Sequence, residues 1–325
     1  MLHSLPQRRS RAALQSAERS DSIRTIVIAL LANLVIAVAK LIAGVLSGST
    51  AMLAEAAHSL ADTLNEILLA VSLRRARRPA DDLHPIGHGR EGFLWALMAA
   101  IGSFLIGGCL SIALAIREFE SGGSMRSTLS AWIVLIISFL AEGTSWLQSM
   151  RQARRQAREQ GRPVWHHLLR ASDPIVRAIV IEDSAALIGL ALAAAGLLVS
   201  RITGNSMPDA TASLLIGILL AITAFVVARP LADFLVGRSL PREQLEKLQS
   251  ILAQSSAIDE ILHLQAVYTG PEEVIVAAKV HPSSKLTIDE LTRAMDDLDH
   301  QLRAASPYVA EVYVDVTNHR AAART

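Results

Sequence analysis

The chain has 325 residues, of which 51% are hydrophobic and 19% charged, with a formal net charge of +1. A mean hydropathy of +0.37, concentrated in long apolar blocks, excludes an ordinary soluble domain and indicates a multi-pass helical membrane protein. The one cysteine, Cys109, lies in an apolar run, which excludes an internal disulfide and argues against thiol chemistry.

Residues 1–22 form a polar, basic tail. The first apolar run is too long for a signal-peptide core and is expected to be retained as a membrane helix. Six runs of spanning length follow, at about residues 23–46, 50–73, 93–116, 129–150, 175–199 and 210–236, within a transport domain drawn at 23–237. Basic residues alternate across them. The tail holds Arg8, Arg9, Arg11, Arg19 and Arg24. The loop after the second run holds Arg74, Arg75, Arg77, Arg78 and Arg90, and the loop after the fourth holds Arg151, Arg154, Arg155, Arg158, Arg162 and Arg170. The opposite side offers Arg126 and Arg201. The positive-inside rule therefore places both termini in the cytoplasm. The Arg- and Ala-rich style suggests a bacterial inner membrane. The basic segment 151–174 either extends the fourth helix onto anionic lipid headgroups or is a solvated charged helix.

The second run carries Glu55, His58, Asp62, Asn65 and Glu66, which fall on one side of a helix at roughly 100° per residue. A charge at the bilayer centre costs about 3 kcal/mol on insertion scales, so such groups face a bundle interior. The bland alternative is a polar seam that glues helices together. His58 and Asp62 are four apart and sit one above the other. An imidazole nitrogen with a carboxylate oxygen is half of a tetrahedral site for a divalent metal.

Just before the third run stands His84-Pro85-Ile86-Gly87-His88-Gly89-Arg90-Glu91, close to Asp81 and Asp82. His84 and His88 are candidate ligands, with a structural turn as the alternative because Pro and Gly favour a tight loop. The first run also holds Asn33 and Lys40, the fourth Glu142, and the fifth Glu182 and Asp183. Neighbours on a helix point about 100° apart, so only one of Glu182 and Asp183 aims squarely at His58 and Asp62. The structural alternatives are snorkelling for Lys40 and a basic partner for Glu142.

After Gly237 the composition changes, and residues 238–318 read as a small cytoplasmic α+β domain before a tail at 319–325. Leu240-Pro241-Arg242-Glu243 marks a helix start. Ile261–Val267 and Val274–Val280 read as strands about the turn Thr269-Gly270-Pro271. Ile288, Leu291, Met295, Leu298 and Leu302 repeat at helical spacing, and Val309–Val316 is a third strand. The order αββαβ predicts one helical layer on a sheet, with a core small enough to favour dimerisation. The chain contains no HExxH, no GxSxG and no phosphate loop, so neither an enzyme nor an ATPase motor is expected, with no cofactor and no nucleic-acid partner.

These residues resemble the cation diffusion facilitator family of zinc and related metal transporters. The resemblance lies in the six-span topology, the run from Ser49 to Asn65, the stretch 84–91 and the domain from Leu240, and covers about Ser22 to Asp315. It implies a ferredoxin-like cytoplasmic domain and a proton-coupled antiporter working as a homodimer. It also implies two metal ligands from the second helix, matching His58 and Asp62, and two from the fifth, spaced by four. Asp183 matches the second of these, but the residue four earlier is Ile179, which cannot ligate. Glu182 stands as its substitute, with water or Glu142 as alternatives. In the cytoplasmic domain His263 matches a metal position, with Ala278 and Asp315 where relatives carry further ligands, so a packing role stands beside a metal role. The resemblance also implies a charge interlock between the third and sixth helices, where Arg90 fits the basic side and Asp233 lies about one turn from the expected acidic position. The expected function is secondary active efflux of zinc in exchange for protons. Manganese, iron(II) or cobalt are the alternative cargoes, and a membrane metal sensor or scaffold, or a passive channel, the alternatives in kind.

Overall fold

The computed structural model describes residues 30–122, 129–159, 174–271, 273–306 and 308–317. The basic tail before Leu30, Arg126, the 160–173 part of the basic loop and the tail after Thr317 lie outside them. The chain divides into two compact units, one taking the residues up to Leu68 and Ala99–Val227, the other Leu69–Met98 and everything from Ala228.

The first unit is built from helices α1 (Leu30–Ser47), α2 (Thr50–Ala76), α3 (Gly89–Ser121), α4 (Leu129–Glu159), α5 (Pro174–Thr203) and α6 (Met207–Val236), of which α2, α3 and α6 continue into the second. All but α2 are long and apolar enough to cross a membrane. The 27-residue α2 matches them in length, but Glu55, Asp62 and Glu66 interrupt its apolar sequence. Leu31, Val35, Val38 and Ile42 leave an apolar stripe of α1 exposed, as suits hydrocarbon. Inside, Ala43, Ala51, Ala54, Ala193 and Ala212 pack with Leu190, Leu197, Ile216 and Leu220. Small residues let these backbones approach closely, which is how helices associate where no hydrophobic drive separates them from lipid. Within α3, Phe104–Cys109 is a π-helical stretch whose Gly108 lies so near α6 that a Cβ there would sit 3.3 Å from Ala221. Such bulges gather at functional sites.

The N-terminus of α2 is capped twice. Ser49 Oγ accepts from the Met52 N–H at 3.1 Å. The buried Asp209 carboxylate of α6 accepts from the Ser49 hydroxyl (2.6 Å), the Thr50 hydroxyl (3.0 Å) and the Ala51 N–H (3.1 Å). An anion there satisfies free backbone donors and meets the positive end of the helix dipole.

In the second unit α6 stops at Gly237, whose φ of +123° ends the helix while its N–H bonds the Asp233 carbonyl. Next come α7 (Arg242–Gln254), β1 (Ile258–Gly270), β2 (Glu273–Pro282), α8 (Ile288–Ala305) and β3 (Val309–Val316), the expected αββαβ order. The sheet runs β1-β2-β3, with β1 antiparallel and β3 parallel to the central β2. A parallel neighbour requires a crossover, which α8 supplies. Leu248 and Leu252 of α7 and Leu298 and Leu302 of α8 cover one sheet face at Ala266, Val274, Val276, Ala278 and Val280. Ile288 begins the helical repeat in sequence yet is 83% exposed, because as the first residue of α8 it precedes the turn that meets the sheet.

Candidate metal centre

His58 and Asp62 project from α2 into a cavity of about 20 Å³, room for one water-sized guest, together with Glu182 of α5. Ala100 and Ser103 of α3, just ahead of the π stretch, and Leu220, Thr223 and Ala224 of α6 complete its wall. His58 Nδ1 stands 3.6 Å from Asp62 Oδ1. Nε2 of this 6%-exposed histidine is buried without a hydrogen-bond partner. Native interiors rarely leave such an atom unpaired, and with Asp62 and Glu182 in the same cavity wall this imidazole is a candidate metal ligand.

Glu182 lines this cavity, and Asp183 does not. Asp183 accepts hydrogen bonds from Ser145 (3.1 Å) and Ser149 (3.0 Å) on α4. Ile179 is 41% exposed on the outer surface of α5. Glu142 of α4 lies in the electrostatic field of Lys40, Asp62 and His58 but not in the cavity wall. One reading of Lys40 is corrected: it does not snorkel. It is fully buried and bonds Glu55 and Ser59, because those acceptors lie beside it inside the bundle. Asn33 likewise donates to Glu66, so Glu55 and Glu66 of the α2 face are both tied to α1. Sequence reading had no signal for Ser103 and Thr223, which are ordinary residues of apolar spans.

A second cluster forms in the loop after α2. Ligand atoms of Asp81, His84 and His88 lie within 4.8 Å of one another. Asp81 Oδ1 accepts from the Leu83 and His84 N–H groups and meets the His84 ring at 3.0 Å, while its Oδ2 meets His88 Nε2 at 2.9 Å. His88 Nδ1 lies 2.7 Å from Glu91 Oε1. Hydrogen bonding to Asp81, then to Glu91, raises the His88 pKa above its ordinary value. The His88 bond, with help from His84, holds the Asp81 carboxyl well below the usual carboxylate range. Gly87, at φ +87°, makes the turn that folds His84 back over His88, with ring centroids 4.2 Å apart. The member of the expected acidic pair that takes part is Asp81.

The other candidates stand apart. His263 is exposed on β1, paired in register with Lys279, which in turn meets Asp315 at 3.4 Å. This row is on the sheet face opposite to Ala278, which is buried under the helices. A cation at His263 would meet the Lys279 ammonium. Among the described residues no ion pair joins Arg90 to Asp233. Phe234 stacks on Phe93 at 4.7 Å, which turns the adjacent Asp233 by about 100° from that face.

Six long helices, four of which line a cavity holding an imidazole and two carboxylates, followed by a small αββαβ domain, define an integral membrane protein. The cation efflux transmembrane domain profile matches residues 26–236, and the chain belongs to that family, the cation diffusion facilitators. Metal tolerance protein C4 of Arabidopsis thaliana is 31% identical over 242 residues, 74% of this chain and 53% of that protein. The proton-coupled zinc antiporter SLC30A9, mitochondrial, of Xenopus laevis is 32% identical over 242 residues, 74% of this chain and 43% of that one. The manganese efflux system protein MneP of Bacillus subtilis is 24% identical over 314 residues, 91% of this chain and 100% of that protein. The chain thus spans about half or less of the length of the first two.

Proposed function

We propose that this chain exports a divalent cation, zinc first, in exchange for protons, through the centre formed by His58, Asp62 and Glu182. The observation that carries this reading is the buried, unpartnered Nε2 of His58, a residue that shares a cavity wall with two carboxylates. Metal binding requires a neutral imidazole and ionised carboxylates, so protons and metal compete for the same atoms. That competition couples the two fluxes, and rocking of helices about the centre supplies alternating access. One imidazole with two carboxylates suits zinc, and the oxygen-rich share of the donor set keeps manganese, iron(II) and cobalt as alternative cargo. A zinc antiporter and a manganese efflux protein among the relatives support that range.

The Asp81–His84–His88 cluster is proposed as a second, cytoplasmic cation site, and the 238–318 domain as the part that holds a homodimer. His263 is assigned no ligand role.

The test is metal-dependent proton movement in sealed vesicles containing the purified protein, with zinc, manganese, iron(II) and cobalt in parallel. Flux that requires metal in the wild type and disappears in Asp62→Ala is expected. Metal binding without flux would favour a sensor or scaffold, and flux indifferent to the proton gradient a channel.

A further inference from the structure

We propose that the buried Lys40–Glu55 pair, seated on Gly189, sets the rotation and register of α2 against α5, and thereby delivers Glu182 rather than Asp183 to His58 and Asp62. The inference rests on the cavity being the metal centre. Both partners of the pair are 0% exposed. Lys40 Nζ donates to Glu55 Oε2 at 3.0 Å and to the Ser59 hydroxyl at 2.8 Å. One ammonium of α1 therefore grips α2 on both sides of His58. Rotating α2 about its axis would break both bonds in a place where no water replaces them.

The second oxygen of Glu55, Oε1, is buried and bonds nothing. It lies where a Cβ on Gly189 would collide with it, so a side chain at 189 would have to displace the Glu55 carboxylate. Glu55 and Asp62 are seven residues apart on α2, and Gly189 and Glu182 are seven apart on α5 in the opposite direction. Seven residues make nearly two whole turns, so each pair shares a helix face. Seating Glu55 on Gly189 thus brings Asp62 level with Glu182, about 10 Å further along. A rotation of α5 by about 100° would exchange Glu182 for Asp183, which instead stays with Ser145 and Ser149. A buried ion pair contributes little to net stability compared with apolar packing, so its use here is geometric.

The experiment measures zinc-driven proton flux in proteoliposomes, and zinc affinity by calorimetry, for wild type, Glu55→Gln, Gly189→Ala, the double variant and Asp62→Ala. Glu55→Gln keeps the shape and removes the charge, while Gly189→Ala displaces the same carboxylate from α5. Each single change is expected to raise the half-saturating zinc concentration about tenfold, with maximal flux little changed. The double variant is expected to be no worse than the worse single, because both act at one contact. In the Glu55→Gln background Asp183→Asn, neutral in the wild type, is expected to acquire an effect as the relaxed register exposes Asp183 to the cation. Additive losses, or unchanged half-saturation in Glu55→Gln, overturn the register role. If Glu55→Gln does not fold, Glu55→Asp, which draws the carboxylate back from Gly189, carries the same expected shift and the same refutation. Zinc flux that survives in Asp62→Ala overturns the metal centre itself and this inference with it. Asp62-dependent flux with unchanged half-saturation in Glu55→Gln overturns the inference alone.

Discussion

Glu182 and Asp183 are neighbours with the same charge, and their surroundings separate them. Glu182 joins His58 and Asp62 around the cavity, whereas the Asp183 carboxylate is occupied by the Ser145 and Ser149 hydroxyls. A group that touches the cargo contributes differently from one that braces the α4–α5 contact. Glu182→Gln is therefore expected to weaken zinc binding by about tenfold or more. Asp183→Asn, which still accepts from both serines, is expected to stay within about twofold of wild type, since an amide oxygen takes the place of the carboxylate oxygen in two hydrogen bonds from neutral donors at small net cost. Calorimetric titration of both variants decides the matter; the reverse ranking would reassign the fifth-helix ligand.

Helix ends show how single elements are held. At the start of α8, Thr287 and Glu290 form a reciprocal capping box, with the Thr287 N–H donating to Glu290 Oε2 at 2.9 Å and the Glu290 N–H to the Thr287 hydroxyl at 3.4 Å. Thr287→Ala is expected to cost about 1 kcal/mol of helix stability, read as faster amide exchange in the first turn of α8. The Thr287 backbone and hydroxyl bonds lower the Glu290 pKa from its ordinary 4.5. A carboxyl with a depressed folded pKa stabilises above its unfolded value and loses that contribution as pH falls through the folded one. Protection of the first α8 turn should therefore be constant from neutral pH down to about 4.5 and then decline. Unchanged exchange below that range would show that the box contributes nothing. The cap on α2 is of another kind, since its carboxylate comes from α6. Asp209→Ala leaves the Ala51 N–H and two hydroxyls without their buried acceptor and is expected to lower unfolding stability in detergent by about 1–3 kcal/mol.

At the scale of the molecule, the alternation of basic and neutral connections orients the chain. The positive-inside rule leads us to propose the loop holding Asp81, His84 and His88 on the cytoplasmic side and the α5–α6 turn on the other. In a Cys109→Ser background, Asn205→Cys is expected to react with a membrane-impermeant thiol reagent on intact cells. Asp82→Cys should react only after the membrane is opened. The opposite pattern would invert the topology and, with it, the side from which the cargo enters.

Much of this was legible in the amino-acid order. Long apolar runs have one solution in a bilayer, because every backbone group must be satisfied within its own segment, and this determined the helices. Period-two and helical repeats after Gly237 determined the αββαβ order. His58 and Asp62 were legible because a four-residue spacing fixes neighbours within one helix whatever surrounds it. Pairings between helices were not legible. The placing of Glu182 rather than Asp183 in the cavity wall, the burial of Lys40 against Glu55, the Asp209 cap and the lack of an Arg90–Asp233 ion pair among the described residues all depend on how one helix is rotated and shifted against another. Local spacing carries no information about that rotation. It is decided by which side chains leave room for close approach, as Gly189 does for Glu55, and so by the tertiary structure alone.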